Sequence, residues 1–528
     1  MKKIFSIFLG AGLFLTSCSS DYLDTVPESS IGAGVVFESA ENARMAVNGL
    51  SRMMCQQYLS SQGCNGEGTI KTWYGNYPGR DFQKCKLTGW SSIINLQYTE
   101  RNTSRYDYYP WFYYYKIIGN ANTIIEKIVD SKGSETIKNE VKGQALTFRA
   151  YAYTMLVQLY SKRWVDSGEG SSRGVPLRID TSAGDLAAST LKQVYDQIYK
   201  DLDEAIACFK DAGYKRSSSE FYLPDSQVAS AVYARAALNR SDWATAAKYA
   251  EIAREGHPLM SKSDYIDGGF NSPNDEWIWG IYNGEEQTLY YYSFFAYQAS
   301  NSNASICRKY PCAISKELYD QIPESDARRG MFAAPLEDEP YMTDSEAKSK
   351  DVKSYYNDGG AKGDMSKRIK ATFGSKLYST SATHAYMQFK FQNISNPGVG
   401  HLNNFRSAEM YLTEAEAKCH LGGKDAEVQK LLNELNKNLN PEYVCDKTGD
   451  ALLEEVKLYR RIDLWGEGFD WFDTKRWNES LTRKSYQNGG SFHSAFAVDV
   501  APNESNNWTW VYPAKEIDYN DAIDSAFE

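Results

Sequence analysis

Val228-Ala-Ser-Ala-Val-Tyr-Ala-Arg235, then Asn239-Arg240-Ser241, then Asp242-Trp243-Ala-Thr-Ala-Ala247-Lys-Tyr-Ala250 is the stretch on which the fold turns. Val228, Ala231, Val232 and Arg235 recur at steps of three and four, as do Trp243, Ala246, Ala247 and Ala250, so each run puts one face on a helix. The short polar break between them reverses the chain and makes an antiparallel pair. Alanines let the two helices approach closely, and Trp243 fills the gap that small side chains leave. Upstream, Leu191, Val194, Ile198, Leu202, Ala205 and Ile206 form a further apolar stripe. Consecutive pairs of this kind predict a protein built from stacked helical hairpins.

The same period recurs outward from this centre. Residues 37–58 carry an alanine- and methionine-rich helical pattern, and a second helix beginning near Pro110 holds Ile117, Ile118, Asn120, Asn122, Ile124 and Ile125. A third spans about 137–160, with Ala145, Phe148, Ala152, Met155 and Leu159 on one face. Near the C-terminus Ala408, Tyr411, Leu412 and Ala415 pair with Val428, Leu431, Leu432, Leu435 and Leu439. The pairs are tetratricopeptide-like, but the sharp consensus of that repeat is absent, so the array is degenerate and supporting in role. Between the helices, residues about 59–107 and 260–400 are rich in Gly, Asn, Ser and Tyr, with short alternations at Trp277-Ile278-Trp279 and Tyr386-Met387-Gln388-Phe389. Irregular excursions of that length are usually binding surfaces.

The N-terminus assigns a compartment. Lys2 and Lys3 precede an apolar run from Ile4 to Leu15, the design of an export signal, here residues 1–17. Leu15-Thr16-Ser17-Cys18 resembles a bacterial lipobox, in which the cysteine is acylated and becomes the mature N-terminus, anchoring the chain to a membrane. The formal charge is −10, and there is no basic block or stripe, which argues against nucleic acid and fits an uncharged ligand. Eight cysteines remain after Cys18; an oxidising compartment permits disulfides, but their spacing is sparse, and Cys208 and Cys419 read as small buried hydrophobes.

No sequence motif for nucleotide binding, zinc hydrolysis or a nucleophilic serine occurs, and the five histidines are dispersed. Asp264-Tyr-Ile-Asp267 and Asn271 to Asp275 could hold a structural calcium, but lack the twelve-residue loop that would mark such a site. Solvated turns are the default reading there, and no metal or other cofactor is expected.

Ordered blocks along the whole mature chain resemble the SusD/RagB family of glycan-binding outer-membrane lipoproteins of Bacteroidetes. They are Cys18 to Pro27; Ala145-Leu-Thr-Phe-Arg149-Ala-Tyr-Ala-Tyr153 through Gly174-Val-Pro176-Leu177; Asn404-Phe-Arg406-Ser-Ala-Glu409 through Glu414-Ala-Glu416-Ala417; Leu458-Tyr-Arg460-Arg461 through Trp465-Gly466-Glu467-Gly468, Asp473 and Arg476-Trp477; and Tyr512-Pro513. One departure lies at Asp463-Leu464, where the family usually carries Glu. The resemblance implies a mainly α, single SusD-like domain over 18–528, with a C-terminal signature region at about 401–528. Four tetratricopeptide-like pairs would support a loop-rich ligand face with small β elements. It further implies capture of oligosaccharides without bond chemistry on the extracellular side of the outer membrane, and delivery to a SusC-like TonB-dependent transporter. The charged signature residues would pair around aromatic anchors; a catalytic role for Glu467 and Asp473 is the minor alternative.

A sugar presents an apolar C–H face and a hydroxyl rim, which an aromatic ring and nearby amides or carboxylates match. With 39 Tyr, 22 Phe and 12 Trp the supply is ample, so position has to choose among them. Taken from the two loop-rich insertions, the candidates are Trp73, Tyr74, Asn76, Arg80, Tyr291 and Tyr297. Two other classes remain open: a lipidated interaction scaffold or peptide receptor, and a glycoside hydrolase using two carboxylates.

Overall fold

Helix ends are set by residues placed at the margins of the apolar stripes. Thr190 accepts a hydrogen bond from the Gln193 N–H, while the Gln193 side chain accepts one from Thr190 N–H, and Gly213 at φ 58° closes the helix they open. Asp225 accepts from the Gln227 and Val228 N–H groups, and Asp242 from the Thr245 N–H, to cap the next two helices. The computed structural model describes residues 33–60, 63–85, 90–285, 292–350, 356–357, 359–395, 398–501, 509–524 and 527. Among these, the longer helices are α1 (Ala40–Met53), α2 (Arg105–Lys127), α3 (Glu135–Tyr160), α4 (Leu191–Ala212), α5 (Ser226–Asn239), α6 (Trp243–Arg254), α7 (Gly363–Phe373), α8 (Ser407–Leu421), α9 (Asp425–Asn436), α10 (Gly449–Asp463) and α11 (Asp470–Trp477). The export signal and Cys18 lie outside the described residues.

Helices α2 to α6 and α8 to α10 form a run in which each packs on the next, as stacked hairpins require. Two details differ from the sequence expectation. Helix α3 is not striped: every residue from Gly143 to Val157 is buried, because α1, α2, α4 and α5 surround it. Trp243 packs over Ala237, Leu238, Ala246 and Ala247 of its own hairpin and also reaches beyond it, stacking on His420 with ring centroids 4.0 Å apart and joining α6 to α8 beside Ala417.

The loop-rich segments supply short strands: β1 (Phe82–Lys84), β2 (Trp277–Ile281), β3 (Cys312–Ile314), β4 (Phe332–Ala333), β5 (Met387–Gln388) and β6 (Leu402–Arg406). Antiparallel pairing gives a sheet of order β1-β3-β5-β4, and β2 pairs with β6 across register shifts. Both alternations read from the sequence therefore become strands. Part of the first insertion is not irregular at all. Gly66–Thr69 runs into a π-helix, Ile70–Asn76, buried throughout. It can lie this deep because Gly75 meets the backbone of Gly468: a Cβ on Gly75 would fall 2.1 Å from Gly468 O. None of the eight described cysteines is disulfide-bonded; Cys208 is buried and Cys419 half-buried.

A layer of buried ion pairs joins helices to sheets. Arg406, 1 % exposed, donates to Glu276 Oε1 (2.8 Å), Glu467 Oε2 (2.9 Å) and Asp463 Oδ1 (2.5 Å). Arg328 donates to the other oxygen of Asp463 (2.7 Å) and to Asp326, and Lys390 donates to Glu467 (2.7 Å). Asp463 is thus shared by two guanidinium groups. Arg149 with Asp201 and Arg235 with Glu409 repeat the device inside the helical run.

Removing one member of such a set strands the others without compensation, at a cost of roughly 3–5 kcal/mol. Asp463→Asn should lose about that much stability in urea denaturation; a loss below about 1 kcal/mol would contradict the assigned role. Glu416 offers a pH test. Burial opposes its ionisation, but Arg476, Arg460 and the Trp477 indole outweigh burial and bring its pKa from 4.5 to about 2. A depressed folded pKa gives stability that is present above the unfolded value and is lost as pH falls through the folded one. The stability gap between the native chain and Glu416→Gln should therefore be full above about pH 4.5 and shrink towards pH 2; a gap constant over that range would refute the pairing.

Candidate functional site

Three segments distant in sequence bring aromatic rings together beside α2. Trp73 comes from the π-helix, Tyr297 from the short helix Phe294–Gln298 capped by Ser293, and Tyr106 from the first turn of α2, where Ser104 accepts from its N–H. Trp90, just before the turn Ser91–Ile94, lies over Trp73 with centroids 4.5 Å apart. Tyr106 meets Trp73 edge-on at 5.4 Å, Tyr297 meets it at 6.3 Å, and Tyr98 packs on Tyr106 at 4.7 Å. Edge and tilted geometries at these distances are the favoured ones for aromatic pairs.

The cluster has a floor and a face. Trp73 is 0 % and Tyr297 2 % exposed, whereas Trp90, Tyr98 and Tyr106 are half-buried and keep surface open to solvent. The indole Nε1 of Trp73 and the hydroxyl of Tyr297 are buried without a hydrogen-bond partner. Burial holds the Tyr297 pKa well above its ordinary value, so both groups are donors at any physiological pH. Native structures leave few buried polar groups in this state, and those left tend to mark functional places. Gly63, at φ 88°, passes so close that a Cβ would fall 2.3 Å from the Trp73 ring.

The other candidates are placed elsewhere. Tyr74 is fully buried, its hydroxyl donating to Tyr106 O (2.5 Å) and its ring against Trp510 at 5.0 Å. Asn76 is also fully buried, donating to Gly466 O (2.7 Å) and accepting from Gly468 N–H (2.8 Å). Arg80 pairs with Glu479, and its N–H donates to Asp470. Without exposed surface Tyr74 and Asn76 cannot touch a ligand in this conformation; they fasten the floor to the rest of the protein. Tyr291 lies outside the described residues. The face residues Trp90 and Tyr98 were not singled out from the sequence, where the only signal was a Gly-Trp step inside the first polar insertion.

The charged signature residues all sit in ion pairs. Arg460 donates to Asp473 (2.7 Å), Arg461 to Asp81 (2.7 Å), and Arg476 to Asp473 and Glu416, while Trp477 Nε1 donates to Glu416 (2.9 Å). Glu467 is held below the usual carboxylate range by Arg406 and Lys390 against the effect of burial. Both carboxylates once weighed as acid and base are thereby committed to guanidinium groups. Among the described residues no three His, Cys, Asp or Glu side chains gather as a metal site. Of the turns considered for calcium, Asp267 pairs with Lys376 and Asp264 accepts from Ser261.

Residues 38–238 match the SusD-like family described as "Starch-binding associating with outer membrane", and residues 290–526 match the SusD family. The chain belongs to the SusD/RagB family. It is 23 % identical over 511 residues to the SusD-like protein P38 of Formosa agariphila, covering 90 % of this chain and 91 % of that one. Its fold is similar to a SusD-like carbohydrate binding protein from Bacteroides vulgatus (TM-score 0.73, 21 % identity, 93 % of this chain and 98 % of the other). It is also similar to a SusD superfamily protein from Bacteroides thetaiotaomicron (TM-score 0.68, 19 % identity, 92 % and 99 %). The mainly helical architecture with small β elements is thus that of the family.

The distinction between floor and face is testable by stability. Trp73→Ala should cost about 3–5 kcal/mol, as for a large ring lost from a packed core. Trp90→Ala should cost less than about half of that, since its face is already in water. Equal losses in urea melts would contradict the division.

Proposed function

We propose that this protein captures oligosaccharides at the cell surface, without cleaving them, and passes them to a SusC-like TonB-dependent transporter in the outer membrane. In this reading the chain is held at the membrane through acylated Cys18. The observation that carries the proposal is the aromatic face of Trp90, Tyr98 and Tyr106 over Trp73 and Tyr297. Half-buried rings cover the C–H faces of sugars at little entropic cost. The face lies where the two loop-rich segments meet the helical frame, and family membership supports carbohydrate as the ligand class. The family's association with the outer membrane supports the location, and the net negative charge favours an uncharged glycan.

Isothermal titration of residues 19–528 with a panel of oligosaccharides tests the reading. At least one should bind with a dissociation constant in the roughly micromolar to millimolar range, compatible with release to a transporter. Trp90→Ala should weaken it by about tenfold, the equivalent of about 1.4 kcal/mol for a lost stacking ring. Absence of binding across the panel, or undiminished affinity in Trp90→Ala, would overturn the assignment.

A further inference from the structure

Two cysteines meet beside a buried ammonium under the short helix that carries Tyr297. Cys307 lies in the single turn Ser305–Arg308, and Cys312 opens β3, where it stands directly opposite Lys84 of β1. Lys84 Nζ donates to Tyr297 O (2.8 Å), Tyr310 O (2.9 Å) and Ile306 O (3.3 Å), so the chain wraps around it on both sides of Cys307. The Cys307 thiol donates to Ala299 O (3.0 Å) and the Cys312 thiol to Tyr297 O (3.4 Å). Those carbonyls are two residues apart, and the two sulfurs lie within hydrogen-bond reach of each other. Both side chains are buried, at 3 % and 1 % exposure.

Thiols react as thiolates, and a neighbouring cation favours that form. Burial opposes ionisation of Cys312, but the Cys307 thiol and the Lys84 ammonium outweigh it and hold its pKa below the ordinary thiol value. Loss of both S–H protons strands no buried group. Tyr297 O keeps its bond from Lys84, and Ala299 O keeps one from the Ser302 N–H (3.1 Å). Lys84 needs no thiolate in exchange, since each of its three protons already has a carbonyl. The surroundings therefore accept an S–S bond with their own hydrogen bonds intact.

We infer that Cys307 and Cys312 are joined as a disulfide in the mature chain, closing the turn 307–312 beneath Tyr297. The inference rests on the export reading of residues 1–17, which places the chain in an oxidising compartment, and not on the identity of the ligand. A thiol–disulfide oxidant meets the chain while it folds, before β3 is covered. The Cys312 thiolate attacks one sulfur of the oxidant's disulfide and releases one thiol; the Cys307 thiolate then attacks Cys312 Sγ and releases the second. Two S–H bonds are lost and one S–S bond is formed, and the two electrons and two protons leave with the oxidant's thiols. The crosslink fixes the carbonyls of Ile306 and Tyr310 around Lys84, which in turn holds the Tyr297 backbone below the aromatic face.

The test is a thiol map of the full-length chain taken from the membrane fraction, with free thiols blocked by N-ethylmaleimide at lysis and the protein digested with trypsin without reduction. Cleavage after Arg308 and Lys309 puts the two cysteines on separate peptides that only a disulfide holds together. The same map is made of residues 19–528 refolded in a buffer of glutathione and glutathione disulfide. The expected result is a linked pair, Cys307 with Cys312, in both samples, lighter by about 2 Da than the sum of its two peptides. Cys307→Ser should free Cys312 for blocking. Both thiols blocked in both samples, or either cysteine joined to Cys85 instead, would overturn the pairing. A link formed only on refolding would overturn its place in the mature protein; glycan titration of the same refolded sample reads the proposed function separately.

Discussion

Everything in this protein that has to stay in register is tied to one buried guanidinium. Arg406, the last residue of β6, engages Glu276 just before β2, Asp463 at the end of α10 and Glu467 in the following turn. Taking these charges out of water is expensive, and only an arrangement that uses the donors of Arg406 and the oxygens of its partners offsets that cost. Few other packings of the same elements would do so, which is why the layer of strands has one position on the helical run.

The constraint reaches the candidate site through short steps. Glu467 lies between Gly466 and Gly468, whose backbone groups are bonded by the Asn76 amide, and Lys71 Nζ donates to Glu467 O at 3.2 Å. Gly75 packs directly on Gly468. Asn76, Gly75 and Lys71 belong to the π-helix that carries Trp73, so the floor beneath the ring face is keyed to the ionic layer. A ligand face made of Trp90, Tyr98 and Tyr106 then rests on rings that cannot shift independently of the frame. Such a platform is pre-organised, and little conformational freedom remains to be lost on binding.

Much of the frame was legible in the sequence because helical periodicity reports burial on one side. The stripes at 191–206, 228–235 and 243–250 became α4, α5 and α6, and the C-terminal pair became α8 and α9. Periodicity found the helix α3 but not its all-round burial: Arg149 is buried with Asp201 and Asn122 from neighbouring helices, Gln144 donates to the Tyr214 hydroxyl, and Thr147 bonds within the helix to Gly143 O. The site was legible in part. Choosing aromatics from two insertions brought out Trp73 and Tyr297, which do meet, but composition could not tell that Gly75 allows the segment around Trp73 to sink into the core. That burial gives Tyr74 and Asn76 supporting duties and leaves the exposed surface to Trp90, Tyr98 and Tyr106.

The measurement that reaches the central claim most directly is amide hydrogen exchange of residues 19–528 with and without a bound oligosaccharide. The account predicts added protection confined to residues 90–106 and 292–298, with α4 to α6 and the network around Arg406 exchanging slowly and equally in both states. Protection spread along α4 to α6, with residues 90–106 unchanged, would contradict it.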